Sequence, residues 1–255
     1  MWLPPPLPRK FDACVRDFES KKPDVRASAA TDIVRHARDP NDSEHRATAL
    51  KLLEGALADP APVVRSAAAV ALSDLGSNGA VKALLRLIDD DDQHVRQMAI
   101  VAVGELADAD EAIVTRLEKA QKDRRPEMRY QSVIALSKLL QRKKSASTRD
   151  SRVAALLRAT SDDDMNVRYI GLRLAEDGLV AKAVVDTEAG EEESDADETD
   201  PSPVDGRLLT RARVLLDDEA DDVVVAAAIF LAKAGDARGR KVVHAVVAGT
   251  RRAQL

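Results

Sequence analysis

The residues best suited to chemistry are few, and they form no catalytic pattern. The chain has four histidines and one cysteine: His36, His45, His94, His244 and Cys14. It contains no HExxH zinc motif, no GxSxG nucleophile elbow and no glycine-rich phosphate loop. A single cysteine also excludes an internal disulfide and a zinc site built on several thiolates. We therefore predict that the protein is not an enzyme and that it needs neither a cofactor nor a metal.

Aspartate and arginine recur at a fixed spacing. In four copies an arginine follows an aspartate by six residues: Asp59 and Arg65, Asp90 and Arg96, Asp123 and Arg129, Asp162 and Arg168. Arginines in register could bind phosphate groups, but a carboxylate at fixed spacing supplies their counter-charge within the chain. We interpret the set as a structural Asp–Arg ladder. Each aspartate would pair with an arginine of its own or a neighbouring repeat and cap turn amides.

The net charge of −5 combines a basic middle with an acidic segment. Residues 116–158 contain thirteen basic and four acidic residues, whereas residues 186–205 contain ten acidic residues and no basic one. Two turns of the middle region form a basic patch that would attract an anionic partner. Its members are Lys119, Lys122, Arg124, Arg125, Arg142, Lys143 and Lys144. A solvated edge without a partner, and a contact with the acidic segment, are the alternatives.

Other positions at a fixed distance from each arginine also keep one residue type, and we call each such set of equivalent positions a column. Valine or methionine precedes most of the arginines, and an apolar residue follows seven positions later. A first copy with Arg26 and a sixth copy with Val224 in place of the arginine extend the set to six. Three positions after the arginine, or after Val224, the residue is always small: Ala29, Ala68, Ala99, Ser132, Gly171 and Ala227. These spacings place the three columns on one face of an α-helix. The repetition predicts helix pairs that bury their apolar faces only by stacking on one another.

The pattern resembles HEAT repeats, in the short HEAT-like form of phycobilisome-lyase-type proteins. The resemblance rests on the Asp-to-Arg spacing, the valine before the arginine, the small residue, and Leu75-Gly76 at a helix end. It implies an all-α, right-handed α–α superhelix, a HEAT-like solenoid of about six helical pairs, with the second helices on a concave side. We expect the solenoid over residues 9–250, a proline-rich extension over 1–8 and a disordered acidic insertion over 187–204.

Two columns lie on the second helices away from the predicted core, one and five positions after the arginine. They contain the only two tyrosines of the chain, in adjacent repeats. Tyrosine is favoured at interfaces because it buries a large area with little loss of rotamer freedom. We predict a partner-binding set on this face: Val101, Tyr130, Ile134, Tyr169 and Arg173. The alternative is that these side chains only pack neighbouring second helices together.

The function predicted from these features is a non-enzymatic scaffold or adaptor that binds another protein or a peptide on the concave face. Two alternatives stay open: an enzyme or enzyme subunit of the bilin-lyase type, and nucleic-acid binding through residues 116–158. Nucleic acid is disfavoured because aromatic residues, which stack on bases, make up only 2% of the chain. No apolar run is long enough to span a membrane, and we expect a cytoplasmic location.

Overall fold

A computed structural model describes residues 9–39, 42–142, 145–188 and 204–248, and every regular element within them is helical. The predicted all-α helical-repeat fold, a solenoid of stacked helix pairs, is confirmed. The chain forms two compact units, Met1–Leu117 and Glu118–Leu255. Some predicted features lie outside the described residues: the proline-rich extension, Lys143 and Lys144 of the basic patch, and residues 189–203 of the acidic insertion.

The first unit contains three helix pairs and the start of another helix. Its helices are α1 (Phe11–Asp17), α2 (Pro23–Ala37), α3 (Ser43–Ala56), α4 (Pro62–Asp74), α5 (Val81–Leu87), α6 (Gln93–Leu106) and the beginning of α7 (Glu111–Ala120). The second helices α2, α4 and α6 pack side by side, and each contacts the first helix of its own pair. This arrangement places the second-helix columns of successive repeats next to one another.

The second unit repeats this arrangement. Its helices are α8 (Pro126–Arg142), α9 (Ala146–Ala159), α10 (Met165–Glu188), α11 (Gly206–Val214), α12 (Asp221–Lys233) and α13 (Ala237–Val247). Here α8, α10 and α12 pack side by side, and α13 packs on α12. Helix α10 continues to Glu188, so it includes the first two residues of the predicted acidic insertion.

The predicted core columns are buried in both units. The small residues three positions after each arginine are all buried, and Ala29, Ala68, Ala99, Ser132 and Ala227 have no exposed surface. The apolar column at plus seven is also buried, from Ile33 in α2 to Leu231 in α12. Small side chains at the first column let neighbouring second helices approach closely, and the second column fills the space beside them.

Local signals fix where the second helices begin and end. Proline occupies the first turn of α2, α4 and α8, where its missing amide hydrogen has no helical partner in any case. The Asp92 carboxylate accepts a hydrogen bond from the Val95 amide at 3.0 Å and caps α6. Gly76 follows α4 with a φ of 64°, and the Ser77 amide then reaches the Leu72 carbonyl at 3.1 Å. These signals therefore set where α2, α4, α6 and α8 begin and where α4 ends.

Candidate partner-binding surfaces

Small side chains leave two clefts on the second-helix face of the first unit. The cleft between α2 and α4 has a volume of about 420 Å³ and is lined in part by Thr31, Val63 and Val70. The cleft between α4 and α6 has a volume of about 480 Å³ and is lined in part by Val70, Met98 and Val101. Val70 lines both clefts and is 41% exposed, so the two spaces adjoin at this side chain. We call them the Val70 clefts.

The charged residues that line the Val70 clefts are acidic. They are Asp24 in the first cleft and Asp74 and Glu105 in the second, and His94 also lines the first cleft. Neither lysine nor arginine lies among the described lining residues. Asp74 forms an exposed ion pair with Arg38 at 3.7 Å. The clefts therefore offer an apolar floor with carboxylates at its margin, which favours a partner that combines apolar and basic side chains.

The structure places the predicted partner-binding residues in both units. Val101 lines a Val70 cleft in the first unit. In the second unit, Tyr130 and Ile134 are half-buried on α8, and Tyr130 packs against the core cluster. Tyr169 and Arg173 lie one turn apart on α10, which packs on α8. Tyr169 is 38% exposed, so it is the more accessible of the two tyrosines.

A buried carboxylate that sequence reasoning missed lies beside this set. Glu176 on α10 is only 3% exposed, and it accepts hydrogen bonds from Arg173 of the same helix and from Lys233 of α12. The sequence contained a signal for it. Eight positions after the arginine the other repeats have small or apolar residues: Val34, Ser73, Gly104, Ser137 and Ala232. A glutamate in this column is therefore an exception to the repeat.

The predicted basic patch is weaker than its sequence suggests. Lys119, Lys122 and Arg124 are exposed, but the guanidinium of Arg125 donates two hydrogen bonds of 2.8 Å to the Asp123 carboxylate. Arg142 is exposed at the end of α8, whereas Lys143 and Lys144 lie outside the described residues. The charge of Arg125 is thus neutralised within its own turn.

Four arginines bridge successive repeats by the same contacts. Arg26 binds both carboxylate oxygens of Asp59 at 2.7 Å, and Arg65 binds Asp90 at 2.7 and 2.8 Å. Arg129 pairs with Asp162 and Arg168 with Asp218 in the second unit, again with nitrogen–oxygen distances of 2.6–2.9 Å. In each case the aspartate belongs to the following repeat.

The same side chains also hold the turns inside each repeat. A third nitrogen of Arg65 donates to the backbone carbonyl of Asp59 at 2.8 Å, and Arg129 donates likewise to Asp123 at 3.0 Å. Each aspartate accepts from the amide two positions later, as Asp90 does from Asp92 at 2.9 Å. Arg96 donates to the carbonyls of Asp90 and Asp91 in its own turn. The aspartate–arginine spacing of six therefore closes one turn and ties it to the next.

A family model for HEAT repeats matches this chain twice, over residues 16–104 and 50–137. Residues 16–137, just under half of the chain, therefore contain HEAT repeats. The resemblance predicted from the aspartate, arginine and small-residue columns is confirmed. No curated protein sequence matches the chain.

Solved structures share the HEAT-like fold at low sequence identity. A designed armadillo repeat protein in complex with the peptide (KR)4 is 17% identical, with a TM-score of 0.55, covering 88% of this chain and 99% of that one. The complex of CpcE and CpcF of phycocyanin lyase from Nostoc is 17% identical, with a TM-score of 0.51, covering 64% and 96%. YibA of Escherichia coli is 16% identical, with a TM-score of 0.57, covering 91% and 73%.

The described residues include no grouping of three or more histidine, cysteine, aspartate or glutamate side chains that could hold a metal ion. Cys14 is buried on α1, and burial raises the pKa of its thiol. Within the described helices, none is long and apolar enough to cross a membrane.

The aspartates that tie successive helical repeats together have lowered pKa values. Hydrogen bonds from Arg26 hold the pKa of Asp59 below its ordinary value. For Asp90, Asp162 and Asp218, burial alone would raise the pKa, but hydrogen bonds from the paired arginine and from a turn amide outweigh it. In all four the folded protein stabilises the charged form.

We expect acid to remove this stabilisation. Because the folded-state pKa lies below the unfolded value of about 3.9, the contribution is complete at pH values above that and is lost as the pH falls through the folded pKa. Urea unfolding followed by circular dichroism should give a free energy of unfolding that decreases from pH 6 to pH 3. Asp162→Asn should be less stable than wild type at pH 6 and lose less on acidification. An unchanged pH dependence in this variant would exclude Asp162 as a contributor.

Proposed function

We propose that this chain is a non-enzymatic interaction module that binds a segment of another protein on the second-helix faces of its HEAT repeats. The observation that carries the proposal is the pair of Val70 clefts, which share one exposed valine and have an apolar floor. Adjoining clefts on parallel elements suit a peptide whose successive side chains enter successive spaces. We further expect the module to act as an adaptor in the cytoplasm.

Two of the similar structures agree with this function. The designed armadillo repeat protein is bound to a basic peptide, and CpcE is in a complex with CpcF. Asp24, Asp74 and Glu105 line the Val70 clefts. Arg38 compensates Asp74 at 3.7 Å, and the remaining net negative charge of this margin suits a basic segment of the same kind. Nucleic-acid binding is the weaker hypothesis, because Asp123 neutralises one cation of the basic patch.

Replacing Val70 with aspartate should weaken this binding without unfolding the protein. Val70 is exposed, so the substitution costs little stability, but it replaces the shared apolar contact of both clefts with a carboxylate. Because that carboxylate must lose water when an apolar side chain is bound, we expect the lost contact to outweigh any added attraction for a basic side chain. Peptides selected from a displayed random library on the wild-type chain would be measured by fluorescence polarisation. We expect Val70→Asp to raise Kd at least about tenfold, the effect of losing a central apolar contact.

Val247→Asp is the matched control, because Val247 is an 82% exposed valine at the end of α13. It should leave Kd within about twofold of the wild-type value. Tyr169→Ala in the same assay tests the corresponding face of the second unit. Selected peptides that bind Val70→Asp, Tyr169→Ala and wild type equally well would contradict the proposed function.

A further inference from the structure

Glu176 is the least expected side chain on the second-helix face of the second unit. A carboxylate that is only 3% exposed is costly unless cations compensate it. Other repeats place a small or apolar residue in this column, which shows that helix packing does not require a charge there. The presence of Glu176 is therefore explained by what it holds in place, namely Arg173 and Lys233.

Glu176 holds two cations that remain accessible to solvent. The Arg173 side chain is 40% exposed and the Lys233 side chain 48% exposed, although both donate to the same buried carboxylate. Nε and Nη2 of Arg173 make no hydrogen bond within the described part of the chain. One negative charge faces two positive ones, so the group keeps a net charge of about +1. Its cations are already oriented before any ligand arrives.

Apolar and aromatic surface adjoins this cation pair. Tyr169 precedes Arg173 by four residues on α10, so the two side chains lie on the same side of the helix. On α12, Ile229 precedes Lys233 by the same interval and is half-buried. Asp177 is the neighbouring exposed carboxylate on α10, and it interacts with the half-buried Arg152. The surface therefore presents oriented cations at one end and an aromatic and aliphatic patch at the other.

We propose that Arg173 and Lys233, positioned by Glu176, bind a carboxylate of an acidic segment in a protein partner, while Tyr169 contacts an apolar residue of the same segment. Charge complementarity selects the partner, because a guanidinium and an ammonium with free donors recognise carboxylates. The inference rests on the proposed function and adds the chemical class of partner for the second unit. The Val70 clefts, with their acidic margin, have the opposite preference.

The test uses three peptides of equal length with the same Leu-Phe core, flanked by Asp and Glu, by Ser and Asn, or by Lys and Arg. Binding to the full chain would be measured by fluorescence polarisation at low and at physiological salt. In the variant R173Q/E176Q/K233Q, the site keeps its shape but loses its charges, and no unpaired charge is left buried. Lys82→Gln, at an exposed position of α5, is the control with the same change of net charge.

We expect wild type and Lys82→Gln to bind the acidic peptide at least tenfold more tightly than the neutral one, and to lose this preference as salt rises. In R173Q/E176Q/K233Q the preference should fall below twofold, with binding of the neutral peptide unchanged. An acidic preference that survives in the triple variant would overturn the inference. Equal binding of neutral and acidic peptides by wild type would overturn it too, while leaving the proposed function intact; no binding of any peptide would defeat both.

Two other possible occupants of the Arg173–Lys233 site can be recognised by separate measurements. Replacing the acidic residues between 191 and 198 by Ser and Asn would raise the affinity for the acidic peptide tenfold if the chain's own acidic segment filled the site. Self-association of wild type in sedimentation, absent in R173Q/E176Q/K233Q, would indicate a second copy of the chain. Either result would overturn the assignment to an external partner.

Discussion

Asp90→Ala is expected to destabilise the first unit by about 2–3 kcal/mol. The substitution removes the partner of Arg65, whose guanidinium lies mostly buried between two repeats. It also removes the acceptor of the Asp92 amide at the start of α6. Breaking a fully buried ion pair costs about 3–5 kcal/mol because one charge is left unpaired, and the residual exposure of this pair reduces that figure.

Asp91→Ala is the matched control, since Asp91 is exposed and adjacent to Asp90. It should change the free energy of unfolding by less than about 0.5 kcal/mol. Urea unfolding would be followed by circular dichroism at 222 nm, because the only tryptophan, Trp2, lies outside the described residues. Equal stabilities of the Asp90→Ala and Asp91→Ala variants would show that the ion pair contributes nothing.

The double variant R65M/D90A separates pairing from capping. If the cost of Asp90→Ala comes mainly from an unpaired Arg65, removing both charges should cost less than the sum of the two single changes, by about 1 kcal/mol or more. Additive costs would instead assign the effect to the turn hydrogen bonds alone.

The repeat made the core and the turn aspartates predictable from sequence. Alanine recurs at one repeat position, as in Ala29, Ala68 and Ala99. This recurrence indicates a buried position that requires a small side chain, which a single alanine would not, because each copy samples the same position independently. The spacing of six between Asp59 and Arg65 likewise predicted an ion pair. It could not say whether the pair closes within a repeat or between repeats, since both distances depend on how the helices stack.

Departures from the repeat were harder to interpret. Two positions after the turn aspartate the other turns have Ala61, Asp92, Asp164 and Ala220, whereas the third turn has Arg125. The Arg125 side chain binds Asp123 of the same turn. Because this pairing depends on the geometry of the turn, which the sequence does not give, the charge of Arg125 was counted in the basic patch. Glu176 was missed for a similar reason. Its partner Lys233 lies on another helix, 57 residues away along the chain.

The clefts depend on side-chain volume as well as on position. The columns that contain Val70 and Val101 were predicted to lie on the second-helix face. The clefts on this face of the first unit arise from small neighbouring side chains. Ala27, Ser66 and Ala67 line the first cleft and leave its floor open. Sequence alone ranked the tyrosines higher because of their type, whereas Tyr130 is partly used by the core.

Gly239→Ala tests how closely α13 docks on α12. A Cβ at Gly239 would lie 2.5 Å from the Ala228 carbonyl oxygen, 2.6 Å from the Ala232 amide nitrogen and 2.6 Å from Leu231 Cβ. Two of these atoms belong to the backbone of α12, so no side-chain rotation relieves the clash. In an isolated helix the same change would stabilise by about 1 kcal/mol. Here we expect a net loss of about 2–3 kcal/mol, the scale of overpacking in a rigid core.

Gly55→Ala should stabilise the protein, although the chemical change is the same as in Gly239→Ala. Gly55 lies in α3 with nothing within 4 Å of the added Cβ, so only helix propensity acts and the free energy of unfolding should rise by up to about 1 kcal/mol. Urea unfolding of both variants, with hydrogen exchange in Ala237–Val247, would separate overall destabilisation from undocking of α13. Because both changes are Gly to Ala within a helix, their difference isolates the packing of α13 on Ala228 and Leu231. A Gly239→Ala variant as stable as Gly55→Ala would mean that α13 is not packed against α12 in solution.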